Sequence, residues 1–330
     1  MRILVTGAAG FIGFHVAKAL LARGDEVIGV DNLNDYYDVT LKQARLDLLL
    51  PQKNFSFHKI NIADKEAMLK FSDSGITHIV HLAAQAGVRH SLQNPFAYVE
   101  SNVMGHVVML ELARHMAGLK HFVYASSSSV YGGNTKIPFA VEDSVDRPVS
   151  LYAATKRSDE LMSYTYAHLF RIPTTGLRFF TVYGPWGRPD MAAYSFTRDI
   201  LEGRAIKVFN HGKMRRDFTF IDDIVRGVVA VLDKAPEDKC APPAALYNLG
   251  NAHAEDLMRF IGVLENALRR KAMIDFQPIQ AGDVPETFAD IATSTRDFGF
   301  KPMVGIEQGV AEFVAWYRGY HGATGCTHFF

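Results

Sequence analysis

Two hydrophobic rhythms alternate along the first 180 residues. Short runs rich in β-branched and aromatic residues lie at 3–6, 27–31, 55–60, 78–82, 122–126 and 175–179; each reads as a buried strand. Between them, apolar positions recur at helical spacing over 11–23, 63–71, 98–116 and 152–170. Strand–helix alternation predicts a doubly wound parallel sheet covered by helices on both faces. Beyond residue 179 the rhythm loosens. Pro185, Pro189, Pro236, Pro242, Pro243, Pro278, Pro285 and Pro302 break shorter elements. The division expected is a sheet domain at 1–180 and a smaller C-terminal lobe at 181–330, from which segments can return to the sheet.

Composition narrows the class. Of 330 residues, 48% are hydrophobic and 21% charged, which excludes disordered, collagen-like and coiled-coil chains. Lys+Arg 35 against Asp+Glu 35 gives net charge 0, so no global basic field holds a nucleic acid. No window approaches the ~18 consecutive apolar residues of a membrane span. The apolar start after Met1-Arg2 is broken by Gly7, Gly10 and Gly13, unlike a signal peptide. Cys240 and Cys326 are too few for a disulfide framework. A cytoplasmic, reducing setting is expected. The thirteen histidines have no metal-ligand spacing, so no metal is expected. Asp222-Asp223 reads as the cap of a helix at 224–232, and the tail beyond Tyr320 as frayed.

Candidate chemistry begins at Thr6-Gly7-Ala8-Ala9-Gly10-Phe11-Ile12-Gly13, between a strand and a helix. Glycines there permit a tight turn and close approach of backbone to a pyrophosphate, and the helix N-terminus supplies free N–H groups. Asp31 closes the second strand 18 residues after Gly13, where a carboxylate accepts from ribose hydroxyls. No Lys or Arg occurs from Asn32 to Tyr37 to neutralise a 2′-phosphate, so NAD is favoured over NADP. The fold is therefore Rossmann-type.

A second constellation follows. Tyr152 and Lys156 stand at i and i+4 on one helical face. A phenol near pKa 10 is no base at neutral pH, but an adjacent cation could lower that value by roughly 1–3 units. The fifth strand ends in Ser126-Ser127-Ser128-Ser129-Val130-Tyr131-Gly132, placing hydroxyls at the carboxyl edge of the sheet, where α/β folds bind ligands. Tyr152 could then take a proton from a substrate hydroxyl as hydride leaves the same carbon.

With these motifs in this order, followed by Arg215-Arg216-Asp217-Phe218, the chain resembles the extended short-chain dehydrogenase/reductase family, whose members act on nucleotide sugars. Three longer strings are similar to its UDP-glucuronate 4-epimerase subgroup: residues 31–37, residues 84–89 and residues 179–191. The resemblance implies Tyr152 as base, Lys156 as its activator and a ribose contact, and Ser127 as the hydroxyl nearest the reacting oxygen. It assigns the cofactor to Gly7, Gly10, Phe11, Ile12, Gly13, Asp31, Asn32, Asn61, Ile62, Leu82, Ala83 and Ala84. Arg216 would hold the UDP phosphates, Phe209 would lie by the uracil and Asp283 would meet a ribose hydroxyl. Gln85 and Gln280 join the substrate set, Gln280 standing where relatives acting on UDP-glucose carry Arg. A homodimer through the helices at 98–116 and 152–170 is also implied.

Chemistry sorts the alternatives inside that family. Related dehydratases carry Asp-Glu before the Val-Tyr-Gly, and related UDP-glucuronate decarboxylases carry Glu; here those positions are Ser128-Ser129. Epimerisation at C4 of UDP-glucuronate remains, through a transient 4-ketone. That ketone is a β-keto acid, which loses CO2 when the breaking bond aligns with the carbonyl π system. Ser128, Ser129 and Thr181, with Arg89 or Arg188 as charged partner, are the candidate restraints on the carboxylate. The rivals are a UDP-glucose or UDP-N-acetylhexosamine 4-epimerase, a UDP-glucuronate decarboxylase, and a non-catalytic NAD-sensing regulator on the same fold.

Overall fold

The computed structural model describes residues 1–323. In chain order the strands are β1 Arg2–Thr6, β2 Glu26–Asp31, β3 Phe55–Lys59, β4 His78–His81, β5 His121–Ser127 and β6 Thr174–Phe179. After these come β7 Thr181–Tyr183, β8 Ala205–Val208, β9 Arg215–Phe220, β10 Ala244–Leu249, β11 Ala254–Asp256 and β12 Met273–Phe276. The first six are the strands legible in the sequence, within a residue at each end.

Seven strands form the main sheet in the order β10-β6-β5-β4-β1-β2-β3, and every pairing is parallel. Parallel strands covered on both faces are apolar along their length, as Ile3, Leu4 and Val5, all fully buried, illustrate. On one face, Phe14, Val16 and Leu20 of the helix Phe11–Ala22 meet Ile224, Val228 and Val231 of the helix Ile221–Leu232. On the other, Val108, Met109 and Leu112 of the helix Gly105–His115 pack with Ile28, Ile79 and Phe122. Strand order reverses between β1 and β4, which opens a crevice at their carboxyl ends. Over it lie a three-stranded sheet, β11-β9-β7, and the parallel pair β12-β8. Phe218 and Phe260, stacked at 4.2 Å between centroids, pin the larger of these.

Several expectations change. Residues 98–116 are one helical run by pattern, but the structure joins an α-turn, Pro95–Tyr98, to a π-helical stretch, Val99–Met104, before the α-helix Gly105–His115. The helix at 63–71 shortens to Lys65–Leu69, entered through Asp64, whose carboxylate accepts from Ala67 N at 3.0 Å. Asp222 and Asp223 do not cap; they lie in the first turn after Phe220. Asp223 instead accepts from Met303 N and Val304 N, tying down a distant loop. The helix Ile306–Ala323 continues through His321 and Gly322, and His321 Nε2 meets the Tyr194 hydroxyl at 2.9 Å. Cys326 and the rest of the tail lie outside the described residues.

One buried ion pair locks the frame. Arg178 on β6 donates through Nε to Glu160 Oε1 at 2.8 Å and through a terminal nitrogen to Oε2 at 2.9 Å, both side chains being about 1% exposed. Glu160 belongs to the helix Leu151–Phe170 and also accepts from Ser126 at 2.6 Å. Without Arg178, the buried Glu160 relies on the partly exposed Arg157, which donates to Oε2 at 3.1 Å, so Arg178→Met should cost about 3 kcal/mol in denaturant titration.

Burial also keeps several histidines neutral. Desolvation lowers His81 to about 3 and His121 to about 4, and holds His106 far below its ordinary value. Because their folded values lie below the unfolded one, the unfolded chain binds more protons and stability falls as pH drops below about 6.5. Replacing His106 by Asn should remove about 1.4 kcal/mol per pH unit from the slope of unfolding free energy between pH 6 and 4.

Candidate active site

The sheet's carboxyl edge opens into a cleft of about 1200 Å³. Every residue assigned above to catalysis, cofactor or substrate lines it, from Gly7 on β1's exit turn to Asp283 in the lobe.

The glycine turn is fixed by close contact. Gly7 has φ +73° and donates to Val30 O at 2.7 Å; a Cβ there would lie 2.9 Å from Ala83 N. Gly10 N donates to Gly7 O at 2.8 Å, and a Cβ on Gly13 would sit 2.0 Å from that same oxygen. The helix Phe11–Ala22 therefore starts hard against the turn, with no side chain capping its first N–H groups. This cradle fits a diphosphate. Asp31 Oδ2 accepts from Ala9 N at 3.2 Å and Oδ1 from Leu33 N at 2.8 Å, so the carboxylate braces the turn it adjoins. Asn32 and Asn61 accept from the backbone two residues on, at 3.1 Å each, and Ile62 packs under Gly105. NAD fits these residues: close-packed glycines, an unblocked helix N-terminus and an acid at the end of β2.

Two cations stand behind this end of the cleft, past the stretch from Asn32 to Tyr37. Lys42 reaches the cleft and donates to Asn34 O and Oδ1 at 2.7 Å each; burial lowers its pKa. Arg45 is fully buried and joins the turn to the opposite loop, donating to Ala9 O at 2.8 Å and Trp186 O at 2.7 Å. Their signal was the helical period itself, which places both on the inner face of the helix Val39–Leu49.

The residues expected to react line the same cleft. Ser127 ends β5, and its hydroxyl accepts from Ser129 N and meets Ser129 Oγ, both at 3.1 Å, starting the short helix Ser128–Tyr131. Ser150 caps the helix Leu151–Phe170, accepting from Ala153 N at 3.1 Å, which presents Tyr152 in the first turn and Lys156 one turn later. Lys156, 4% exposed, donates to Ala125 O at 2.9 Å and Asp159 Oδ2 at 3.1 Å. The π-helical stretch supplies Asn102, which sequence reasoning missed. Its amide donates to Gln85 O and Thr155 Oγ1, and its carbonyl accepts from Gln85 N at 2.8 Å. One buried side chain thus binds the loop after β4 to the helix bearing Tyr152. An Asn within an apolar helical run was the available signal.

The lobe separates the two candidate arginines. Arg89 lies over the Phe209 ring at 4.6 Å, and its charge registers at Arg216. Arg216 in turn donates to Asp283 Oδ1 at 2.7 Å; burial presses its pKa down although Asp283 opposes. Arg188 instead grips Asp190 with two bonds, at 3.0 and 2.5 Å, while Tyr36 donates to Asp190 at 3.2 Å. Burial opposes the Asp190 carboxylate, but Arg188 outweighs it and keeps its pKa low; burial pushes the Tyr36 phenol up to about 12. Tyr98, 6.1 Å from Tyr152 between ring centroids, feels the charge of Arg188. Arg188 is thus held on the Asp190–Tyr36 side and Arg89 by Phe209 and Arg216, while the charges of both register at Tyr36. Gln85 Nε2 and Gln280 Oε1 are buried without protein partners at the cleft wall.

Comparison with known proteins places this geometry. The profile of the NAD dependent epimerase/dehydratase family matches residues 3–250, and the chain belongs to that family. It is 48% identical over 331 residues to a probable UDP-glucuronate 4-epimerase of Rhizobium meliloti (strain 1021), covering 96% of this chain and 97% of the relative. Identity to UDP-glucuronate 4-epimerase 2 of Arabidopsis thaliana is 47%, covering 97% of this chain and 76% of that protein. The crystal structure of UDP-glucuronic acid 4-epimerase from Bacillus cereus, in complex with UDP-glucuronic acid and NAD, superposes with TM-score 0.89. It is 34% identical and covers 97% of this chain and 100% of that one.

The cradle generates a direct test. Gly13→Ala should lower NAD content or affinity at least tenfold, because the helix must retreat from Gly7 O and take its N–H groups with it. Equilibrium dialysis of the variant against NAD measures this.

Proposed function

We propose that the chain catalyses NAD-dependent C4 epimerisation of UDP-glucuronate to UDP-galacturonate. The observation that carries this is the joining of Ser127, Tyr152 and Lys156 with the glycine cradle and two separate arginine clusters in one cleft. The whole-length similarity to UDP-glucuronate 4-epimerases supports it.

NAD, which the glycine cradle and Asp31 would hold, would supply a hydride acceptor for C4 with no net redox change. The protein's own residues do the rest. Tyr152 accepts the C4 hydroxyl proton and later gives it back, while Ser127 hydrogen-bonds the same oxygen. Lys156, held by Ala125 O and Asp159, brings a fixed ammonium beside the phenol. Residues 1–180 hold NAD and residues 181–330 mainly the UDP group. Arg216 and Arg89 serve the diphosphate, with Phe209 by the base. Arg188, aided by Ser128, Ser129 and Thr181, holds the sugar carboxylate out of line with the C4 carbonyl and so suppresses loss of CO2.

A second copy of the chain completes the reading. Phe96 is 83% exposed, and Met104, Leu161, Tyr164 and Leu169 are all more than half exposed. All but Phe96, which lies just before the first, sit on the helical runs 98–116 and 152–170 expected to form a homodimer. The cytoplasm suits the same reading, since Cys240 is exposed and has no cysteine partner among the described residues.

Incubating the purified protein with UDP-glucuronate, without added NAD, should yield UDP-galacturonate without CO2, resolved by chromatography with a CO2 assay. UDP-pentose with CO2 would make the chain a decarboxylase, and turnover of neutral UDP-hexoses alone would remove the carboxylate from the reading. Arg188→Ala should raise the share of UDP-pentose several-fold; an unchanged product ratio would remove Arg188 from the restraint.

A further inference from the structure

Lys156 has a second neighbour whose chemistry the reaction has not used. Asp159 stands one turn along the same helix and is 1% exposed. Its Oδ2 accepts from the Lys156 ammonium at 3.1 Å, while Oδ1 is buried without a partner. A carboxylate would normally fill both oxygens with donors, whereas a carboxylic acid leaves fewer acceptor sites to satisfy. The surroundings are crowded with titratable groups. Glu160 adjoins it on the helix, but is tied to Arg178. From β5 comes Tyr124, which feels the Asp159 charge, and from the helix Gly105–His115 comes His106, which meets the Asp159 backbone carbonyl and not its carboxyl. His81 on β4 lies within the field of Lys156. Both histidines are neutral, so Lys156 is the cation that opposes Asp159.

We propose that Asp159 tunes the Lys156–Tyr152 pair: as a carboxylate it neutralises the ammonium beside the base, and as a carboxylic acid it leaves the ammonium's field on Tyr152. Burial pushes the Asp159 carboxyl up to about 7, against the pull of Lys156, so both forms are populated where the enzyme works. The sign follows from charge. A negative Asp159 offsets the ammonium, so it disfavours a negative charge on Tyr152. Asp159 is a positioning residue, since it acts through Lys156 and does not line the cleft.

This rests on Tyr152 as the base, and the test separates the two ideas. Asp159→Asn removes the charge but keeps an oxygen that accepts from Lys156. In the NAD-loaded protein without sugar, tyrosinate absorbance referenced to Tyr152→Phe should show Tyr152 ionising at a pH lower by roughly 0.5–1 unit in Asp159→Asn. An unchanged midpoint overturns the proposal. The rate of epimerisation should show the same acid displacement of its rising limb, whereas a uniform loss at all pH values would make Asp159 structural only. The wild-type protein provides a reading independent of any variant's folding: log kcat should rise between pH 6 and 8 with slope below one. A slope of one throughout overturns the proposal. If the tyrosinate shift appears while Tyr152→Phe retains full activity, the coupling stands and the assignment of the base fails.

Discussion

The bidentate pair between Arg178 and Glu160 is the contact on which the rest of the site depends. A guanidinium and a carboxylate, both withdrawn from water, tolerate very little displacement, because any gap exposes an unscreened charge to a low-dielectric interior. The pair joins β6 to the helix Leu151–Phe170, and Glu160 extends the joint to Ser126 on β5. Tyr152 and Lys156 ride on that helix, and Ser127 follows Ser126. The Ser127 hydroxyl thus shares one mount with the Tyr152 phenol. Stability is a secondary return from such a pair; its larger effect is to fix the helix in register and orientation.

A different physical device governs the cofactor side. Between Gly7 and Gly13 the structure relies on the absence of atoms: there is no room for a Cβ, so backbone meets backbone and the helix N-terminus arrives at the turn. Asn102 bridges the two halves. Sitting in a π-helical stretch, whose wider turn redirects a side chain inward, it satisfies the backbone N–H and C=O of Gln85 and reaches Thr155. The helix there forgoes regular α geometry, and the gain is a polar clamp between the loop after β4 and the catalytic helix.

Much of this was legible in the sequence because two strong rules apply to parallel sheets. Buried strands read as apolar runs, and the ligand site falls at their carboxyl ends, so six strands, the glycine turn, Asp31, the serine run and the Tyr152–Lys156 pair followed from spacing and order. Asn61, Phe209, Arg216 and Asp283 came from the family resemblance. The seventh strand, β10, escaped notice: Ala244–Leu249 follows Pro242-Pro243 and carries no β-branched residue, and its parallel pairing with Thr174–Phe179 reveals it. The π-helical insertion was equally hidden, since its apolar period imitates an α-helix. Asp222 and Asp223 misled because acids at a helix start usually cap it, yet Asp223 finds better donors in the backbone of Met303 and Val304. Arg89 and Arg188 could not be told apart by sequence; only tertiary packing sends one to Phe209 and the other to Asp190. Resemblance to a known subgroup supplied the sugar, which periodicity alone would never have named.

Arg45 carries a consequence for motion. Its guanidinium is bolted to Ala9 O on the cofactor turn and to Trp186 O on the loop that leads to Arg188. The walls on either side of the reaction centre are therefore parts of one body, unable to slide past each other. Inverting a stereocentre demands that something swing through a large angle between removal and return of hydrogen. With the housing braced, the freedom falls to the sugar, pivoting about its own glycosidic and diphosphate bonds like a clapper in a fixed bell.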